Sequence, residues 1–117
     1  MKLILYGTES DKSELARSLA ELPDCRYRNI RISDFSDYDS FVAGLGESPP
    51  ECIVITMDGA NGMEGVIAAK SLFEDVPVIW FSDDNGFGVQ SYRLGCAYFH
   101  KKPVSLQVLS SAIAKCV

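Results

Sequence analysis

The sequence predicts an α/β protein built on one doubly wound parallel sheet, a (βα)5 chain with strand order 2-1-3-4-5 folded as a single domain. Three observations carry that prediction. Short apolar runs rich in β-formers recur along the 117 residues, stretches with helical spacing of apolar residues separate them, and no linker or low-complexity segment interrupts the alternation. Strict strand-helix alternation implies parallel pairing, right-handed crossovers and helices on both faces of the sheet.

KLILY (Lys2 to Tyr6) opens the chain as a strand short enough and apolar enough to be buried on both faces. Leu15, Leu19 and Leu22 then form the stripe of a first helix, with Ser10 or Asp11 placed to cap it. CRYRNIRI (Cys25 to Ile32) is more polar and carries Arg26, Arg28 and Arg31, which suits a sheet edge guarded by charge. Tyr38, Phe41, Val42 and Leu45 mark a short second helix that Gly46 ends. ECIVIT (Glu51 to Thr56) is the third strand, and Met63, Val66, Ile67 and the Leu72-Phe73 pair mark the helix after it. PVIWF (Pro77 to Phe81) is the fourth strand, followed by a weaker helix with Val89, Tyr92 and Arg93 that closes at Gly95. AYFH (Ala97 to His100) is the fifth strand, and Leu106, Leu109, Ala112 and Ile113 supply the last helix.

For five such units the flavodoxin-like order is the common solution, and it places a crevice beside strands 1 and 3 at the carboxyl ends of the strands. Gly7 to Ser10, Met57 to Gly62 and Ser82 to Asn85 are the loops that line it, with Lys102 closing the far side. The pair Lys102-Pro103 stands between a strand and a helix. A proline there can hold its preceding peptide bond in the cis form and fix where the lysine ammonium points; it also starts helices in the ordinary trans form. A lysine at the carboxyl ends of the strands should meet an anion.

Composition narrows the function. A formal charge of −5 argues against nucleic acid or an anionic membrane as the main partner. The four cysteines, Cys25, Cys52, Cys96 and Cys116, lie far apart without a CxxC, and there is one histidine, so neither zinc-ligand spacing nor a compact disulfide framework is present. Cys52 and Cys96 read as small buried thiols. The lone His100 reads as a packed core residue. With no signal peptide or membrane span visible, a cytoplasmic, reducing setting is expected.

ECIVITMDGANGMEG, VPVIWFS and YRLGCAYFHKKP, in this order and spacing, resemble the receiver domains of two-component response regulators (CheY-like domains), and the resemblance spans essentially the whole chain. SDDNGFGVQSYRLGCAYFHKKP is most similar to the receivers attached to LytTR-type DNA-binding domains, although no such output domain lies within these residues. The resemblance implies a phosphorelay signalling module. In that family an aspartate at the end of strand 3 accepts a phosphoryl group, two acids after strand 1 hold Mg²⁺ with it, and a hydroxyl and a lysine bind the phosphoryl oxygens. By resemblance Ser82 is the hydroxyl, Lys102 the lysine and Pro103 the proline that follows it.

The acidic positions depart from the pattern. The pair after strand 1 falls on Gly7 and Thr8, with Glu9 nearby, and the phosphoacceptor falls on Thr56 or Met57 according to which end of the segment it is counted from. Neither Thr56 nor Met57 can form an acyl phosphate, and without carboxylates both metal and catalysis are lost. Asp58 stands one or two residues late. It reads as a turn aspartate before Gly59 or, if a bulge re-aims it, as the phosphoacceptor. Glu9 reads as an acid favoured at a helix start or as a metal ligand. Asp83 and Asp84 read as loop or cap residues.

The expectation is a degenerate receiver, or pseudo-receiver, that is not an enzyme, needs no cofactor and works by binding a protein, either a histidine kinase or an output target. Mg²⁺ enters only under the rival expectation of a working receiver that uses Asp58 and Glu9. The fourth helix, fifth strand and fifth helix, with Tyr92, Tyr98, Phe99 and Leu106, are the expected interaction face and a possible homodimer interface. A flavin-type site would need a phosphate loop and stacking aromatics at the crevice, and Trp80 is predicted inside a buried strand.

Overall fold

The computed structural model describes residues 1–23 and 29–116. Its elements, in chain order, are β1 (Lys2–Tyr6), α1 (Glu9–Glu21), β2 (Arg31–Phe35), α2 (Tyr38–Leu45), β3 (Cys52–Ile55), α3 (Gly59–Leu72), β4 (Val78–Ser82), a 3-10 turn (Asn85–Phe87), α4 (Gly88–Arg93), β5 (Tyr98–Lys101) and α5 (Leu106–Ile113). All strand pairs are parallel and the sheet order is β2-β1-β3-β4-β5. The predicted fold class is the observed one.

Period-two alternation sorts the central strands onto two cores. Leu3, Leu5, Cys52, Val54, Ile79 and Phe81 point to one side, where Leu15 and Leu19 of α1 and Leu109, Ala112 and Ile113 of α5 cover them. Ile4, Tyr6, Ile53, Ile55, Val78 and Trp80 point to the other, against Phe41 and Leu45 of α2 and Val66 and Ala69 of α3. Phe41 stacks flat on Tyr6 with ring centroids 4.5 Å apart. β1, β3 and β4 are buried almost throughout, whereas β2 and β5, at the two edges of the sheet, are partly exposed.

Four local expectations shift. The second strand is Arg31–Phe35 and shares Arg31 and Ile32 with the described part of the predicted segment; Cys25, Arg26 and Arg28 lie outside the described residues. Ser33 and Asp34, beyond the predicted end at Ile32, sit inside this strand because an edge strand tolerates polar residues and β1 supplies the ladder, Ile4 opposite Ser33 and Leu5 opposite Asp34. β5 begins one residue late, at Tyr98, leaving Ala97 outside the strand, and Cys96, expected as a buried thiol, is half-buried ahead of it. His100, on this edge strand, is half-buried rather than a core residue, and its Nδ1 lies 2.6 Å from the Lys101 carbonyl. Helix α3 buries Gly62, Gly65, Val66 and Ala69, while Ile67 and Leu72 face outward. Small residues let this helix approach the sheet so closely that a Cβ at Gly65 would stand 2.9 Å from the Tyr6 ring.

Candidate functional site

The carboxyl ends of β1, β3, β4 and β5 bring together Gly7, Thr56 to Asp58, Ser82 and Lys102. Lys102 continues the β5 ladder, its N–H donating to the Ser82 carbonyl at 2.8 Å, and the Lys102-Pro103 bond is cis. Its side chain is 16% exposed. The ammonium donates to Asp11 Oδ2 at 2.7 Å, to Asp58 Oδ1 at 2.5 Å and to the Thr56 carbonyl at 2.6 Å. Three oxygens therefore converge on one nitrogen, two of them anionic, which makes these charge-assisted bonds of the strong class.

Asp11 reaches this point because Thr8, not Ser10 or Asp11, caps α1: Thr8 Oγ1 accepts from the Asp11 N–H at 3.2 Å. That sets Asp11 in the first helical turn with its side chain toward Lys102. Asp58 is the N-cap residue of α3 yet makes no capping bond with its side chain, and its carboxylate goes to Lys102 instead. Despite its offset from the strand end, Asp58 thus faces the crevice.

Glu9 does not join this cluster. It accepts from Ser36 Oγ at 2.6 Å and from Lys12 Nζ at 3.2 Å, at the β2 end of the sheet, with its side chain 82% exposed. The Ser36 hydrogen bond, then Lys12, hold its carboxyl below the ordinary glutamate range. Lys12 is itself buried and also donates to Asp34 Oδ1 at 2.8 Å, joining α1 to the edge strand. Burial works against the charge of Lys12, but the hydrogen bonds and charges of Asp34 and Glu9 together outweigh it and raise its pKa.

Ser82 is fully buried, accepts from the Asp84 N–H at 3.2 Å and donates to Asp83 Oδ1 at 3.4 Å. The same Asp83 oxygen accepts from the Gly59 N–H at 3.4 Å, at the start of α3. Asp84 caps the 3-10 turn through the Gly86 N–H. Gly7 is enclosed: a Cβ there would stand 2.3 Å from Thr56 Cγ2, so the position has no room for an acidic side chain while Thr56 is present. A cavity of about 370 Å³ opens beside Lys102, walled by Asp11, Glu14, Leu15, Thr56 and Val104. Among the described residues no group of three or more His, Cys, Asp or Glu side chains stands close enough to hold a metal ion.

Of the four residues expected at the interaction face, Tyr92 on α4 is 87% exposed and Leu106 on α5 is 46% exposed. Tyr98 packs against the α1/α5 core, and Phe99 packs edge-on to Trp80 in the other. Successive side chains of β5 alternate, so these two fall on opposite faces of the sheet. Asp11 and Lys12 were not singled out by sequence as site or core residues. The usable signal is the spacing from Thr8: once Thr8 is the cap, Lys12, Leu15 and Leu19 share the buried helical face and Asp11 borders it.

No protein-family model matches the chain, and no curated protein matches it. Solved structures do, several of them over nearly the whole of both chains. CheY4, a chemotaxis response regulator of Vibrio cholerae, aligns with a TM-score of 0.75 at 13% identity, covering 99% of this chain and 98% of that one. TrrA, a response regulator of Thermotoga maritima solved with Mg²⁺ and beryllofluoride, gives 0.75 at 11% identity over 99% and 98% of the two chains. The CpaE2 pilus assembly protein of Sinorhizobium meliloti gives 0.74 at 15% identity over 100% of both. The chain has the fold of CheY-like receiver domains.

Proposed function

We propose that the chain is a phosphorelay-type signalling module that acts as a pseudo-receiver, through protein-protein contact and without ordinary Mg²⁺-dependent aspartyl phosphorylation. What supports this is the Lys102 ammonium, bound at once by Asp11, Asp58 and the Thr56 carbonyl. Mg²⁺ demands converging oxygen ligands in near-octahedral geometry, and phosphoryl transfer needs charge neutralisation around the moving group. Here the places after β1 belong to Gly7 and Thr8, the strand end to Thr56, and the two carboxylates that reach the crevice are already engaged by a cation. That donor set does not suit Mg²⁺. On this reading the module is not an enzyme and carries no cofactor.

The test is titration of the protein with beryllofluoride and Mg²⁺, followed by calorimetry and by the fluorescence of Trp80, and exposure to acetyl phosphate followed by intact mass. No saturable heat and no phosphoryl adduct are expected. A response abolished by Asp58→Asn would instead establish a working receiver. One observation favours that second reading, the turn of Asp58 into the crevice. It requires Glu9 to leave Ser36 and Lys12 and reach Mg²⁺ beside Asp58.

The partner proposed is a histidine kinase or an output protein, engaged through α4, β5 and α5, the face the module would also use to form a homodimer. Tyr92, Val89 and Leu106 are its exposed apolar residues, at 87%, 61% and 46%. Tyr92→Ser is expected to leave the thermal midpoint unchanged while weakening self-association or partner capture, measured by sedimentation equilibrium; an unaltered association constant would remove this face from the model. The chain's −5 charge suits neither direct nucleic-acid nor membrane binding. No helix among the described residues is long and apolar enough to cross a membrane. A cytoplasmic location is proposed with the rest.

A further inference from the structure

We propose that Cys52 and Cys116 form a peroxide-responsive thiol pair that closes an intramolecular disulfide between the entry of β3 and the segment after α5. Cys52 is the first residue of β3, fully buried and in register with Leu3 of β1. Cys116 lies just past α5, its N–H donating to the Ile113 carbonyl at 2.9 Å, and packs half-buried on the core cluster that contains Cys52. The two thiols, remote in sequence, are hydrogen-bonded to each other. Both are reduced in the structure.

The two positions divide the chemistry. Cys116 is the more accessible, and the hydrogen bond from Cys52 lowers its pKa against the opposing effect of burial, which favours the reactive thiolate. Cys52 is sealed from solvent but already in contact with Cys116, so it suits the resolving role. By contrast, burial pushes the Cys96 thiol up to about 11, which keeps it protonated and inert.

The oxidant is a hydroperoxide. The Cys116 thiolate attacks one oxygen of hydrogen peroxide, the O–O bond breaks, and the sulfur becomes a sulfenic acid as the other oxygen leaves as hydroxide, which becomes water by taking up the proton that the thiol lost on ionising. The Cys52 sulfur then attacks the Cys116 sulfur, the S–O bond breaks, and the hydroxyl leaves as a second water with the Cys52 proton. Two thiols lose two hydrogens, and one hydrogen peroxide becomes two waters. The loop so closed contains β3, β4, β5 and helices α3 to α5, so the cross-link restricts the unfolded chain strongly.

The experiment uses the full chain with Cys25→Ser and Cys96→Ser, oxidised with hydrogen peroxide. The expected result is a monomer lighter by two hydrogens, a proteolytic fragment joining Cys52 to Cys116 that dithiothreitol separates, and a thermal midpoint raised by on the order of 10 °C. Cys116→Ser in the same background should show neither linkage nor rise. Oxidation that stops at added oxygen on Cys116, that couples two chains, or that leaves both thiols intact overturns the proposal. If the double-serine background does not fold, peptide mapping of the oxidised natural sequence decides the same question.

Discussion

Lys102→Ala is expected to lower stability by about 2 kcal/mol at neutral pH, and to make a protein indifferent to divalent cations respond to them. The ammonium separates two carboxylates, Asp11 and Asp58, each in direct contact with it. Removing one partner of a fully buried pair costs more than this because the remaining charge is stranded. Here Asp11 is 28% exposed and Asp58 45%, so water recovers much of the loss. In thermal terms the drop is about 8 °C for a domain of this size.

The same geometry dictates the rescue. Asp11 Oδ2, Asp58 Oδ1 and the Thr56 carbonyl surround the vacated point at 2.5 to 2.7 Å, close to the reach of Ca²⁺, which accepts irregular oxygen shells where Mg²⁺ does not. Millimolar Ca²⁺ should restore part of the lost midpoint in Lys102→Ala and do nothing to the parent protein. Adding Asp11→Asn and Asp58→Asn to the variant should recover stability without calcium and abolish the calcium effect. Differential scanning fluorimetry reads all four arms. A variant as stable as the parent means that Lys102 neutralises nothing; an unstable one blind to calcium means that the oxygens do not converge.

That cluster also shows where sequence legibility ends. Lys102, Ser82 and Thr56 are anchored to strand ends, and strand ends are marked by apolar runs, so their approach to one crevice follows from the alternation of elements. Asp11 is different. It depends on which of Thr8, Ser10 and Asp11 caps α1, and these residue types are all good caps, so the helix phase was ambiguous by enough to turn Asp11 from a cap into a crevice residue. Glu9 shows the same ambiguity with the opposite result, since its phase carries it to Ser36 and Lys12.

Core positions were legible where large apolar residues repeat, as in β1, β3 and β4. In α3 they were legible only in part: Val66 is buried as its spacing predicts, but Gly62, Gly65 and Ala69 pack beside it and contribute close approach rather than area, while Ile67 and Leu72 face outward. The second strand runs past its predicted end at Ile32 because an edge strand does not need an apolar pattern, and pairing with β1 carries the polar Ser33 and Asp34. The Cys52–Cys116 contact belongs to a third category: nothing local encodes it, and it exists only once α5 has packed on the sheet.

Trp80→Ala is expected to cost about 4 kcal/mol, the largest effect of any single substitution considered, and Trp80→Phe to stay within about 1.5 kcal/mol of the parent. Trp80 is 0% exposed at the centre of β4, with Phe87 at 5.3 Å and Phe99 at 5.4 Å between ring centroids. Truncation to alanine opens a cavity between α3, the 3-10 turn and β5 that these fixed rings cannot collapse to fill. Phenylalanine keeps most of the packing and removes a liability, because the indole Nε1 has no hydrogen-bond partner in the structure. A buried donor left without a partner carries its full desolvation cost, so deleting it offsets part of the lost volume. Ser82, two residues along the same strand, should lose its order with the alanine variant and keep it with the phenylalanine one, visible as exchange protection of the Asp84 amide that Ser82 Oγ accepts. Denaturant unfolding gives the energies. A phenylalanine variant as unstable as the alanine one would mean that the indole N–H is satisfied after all and that Trp80 is held by a bond rather than by packing.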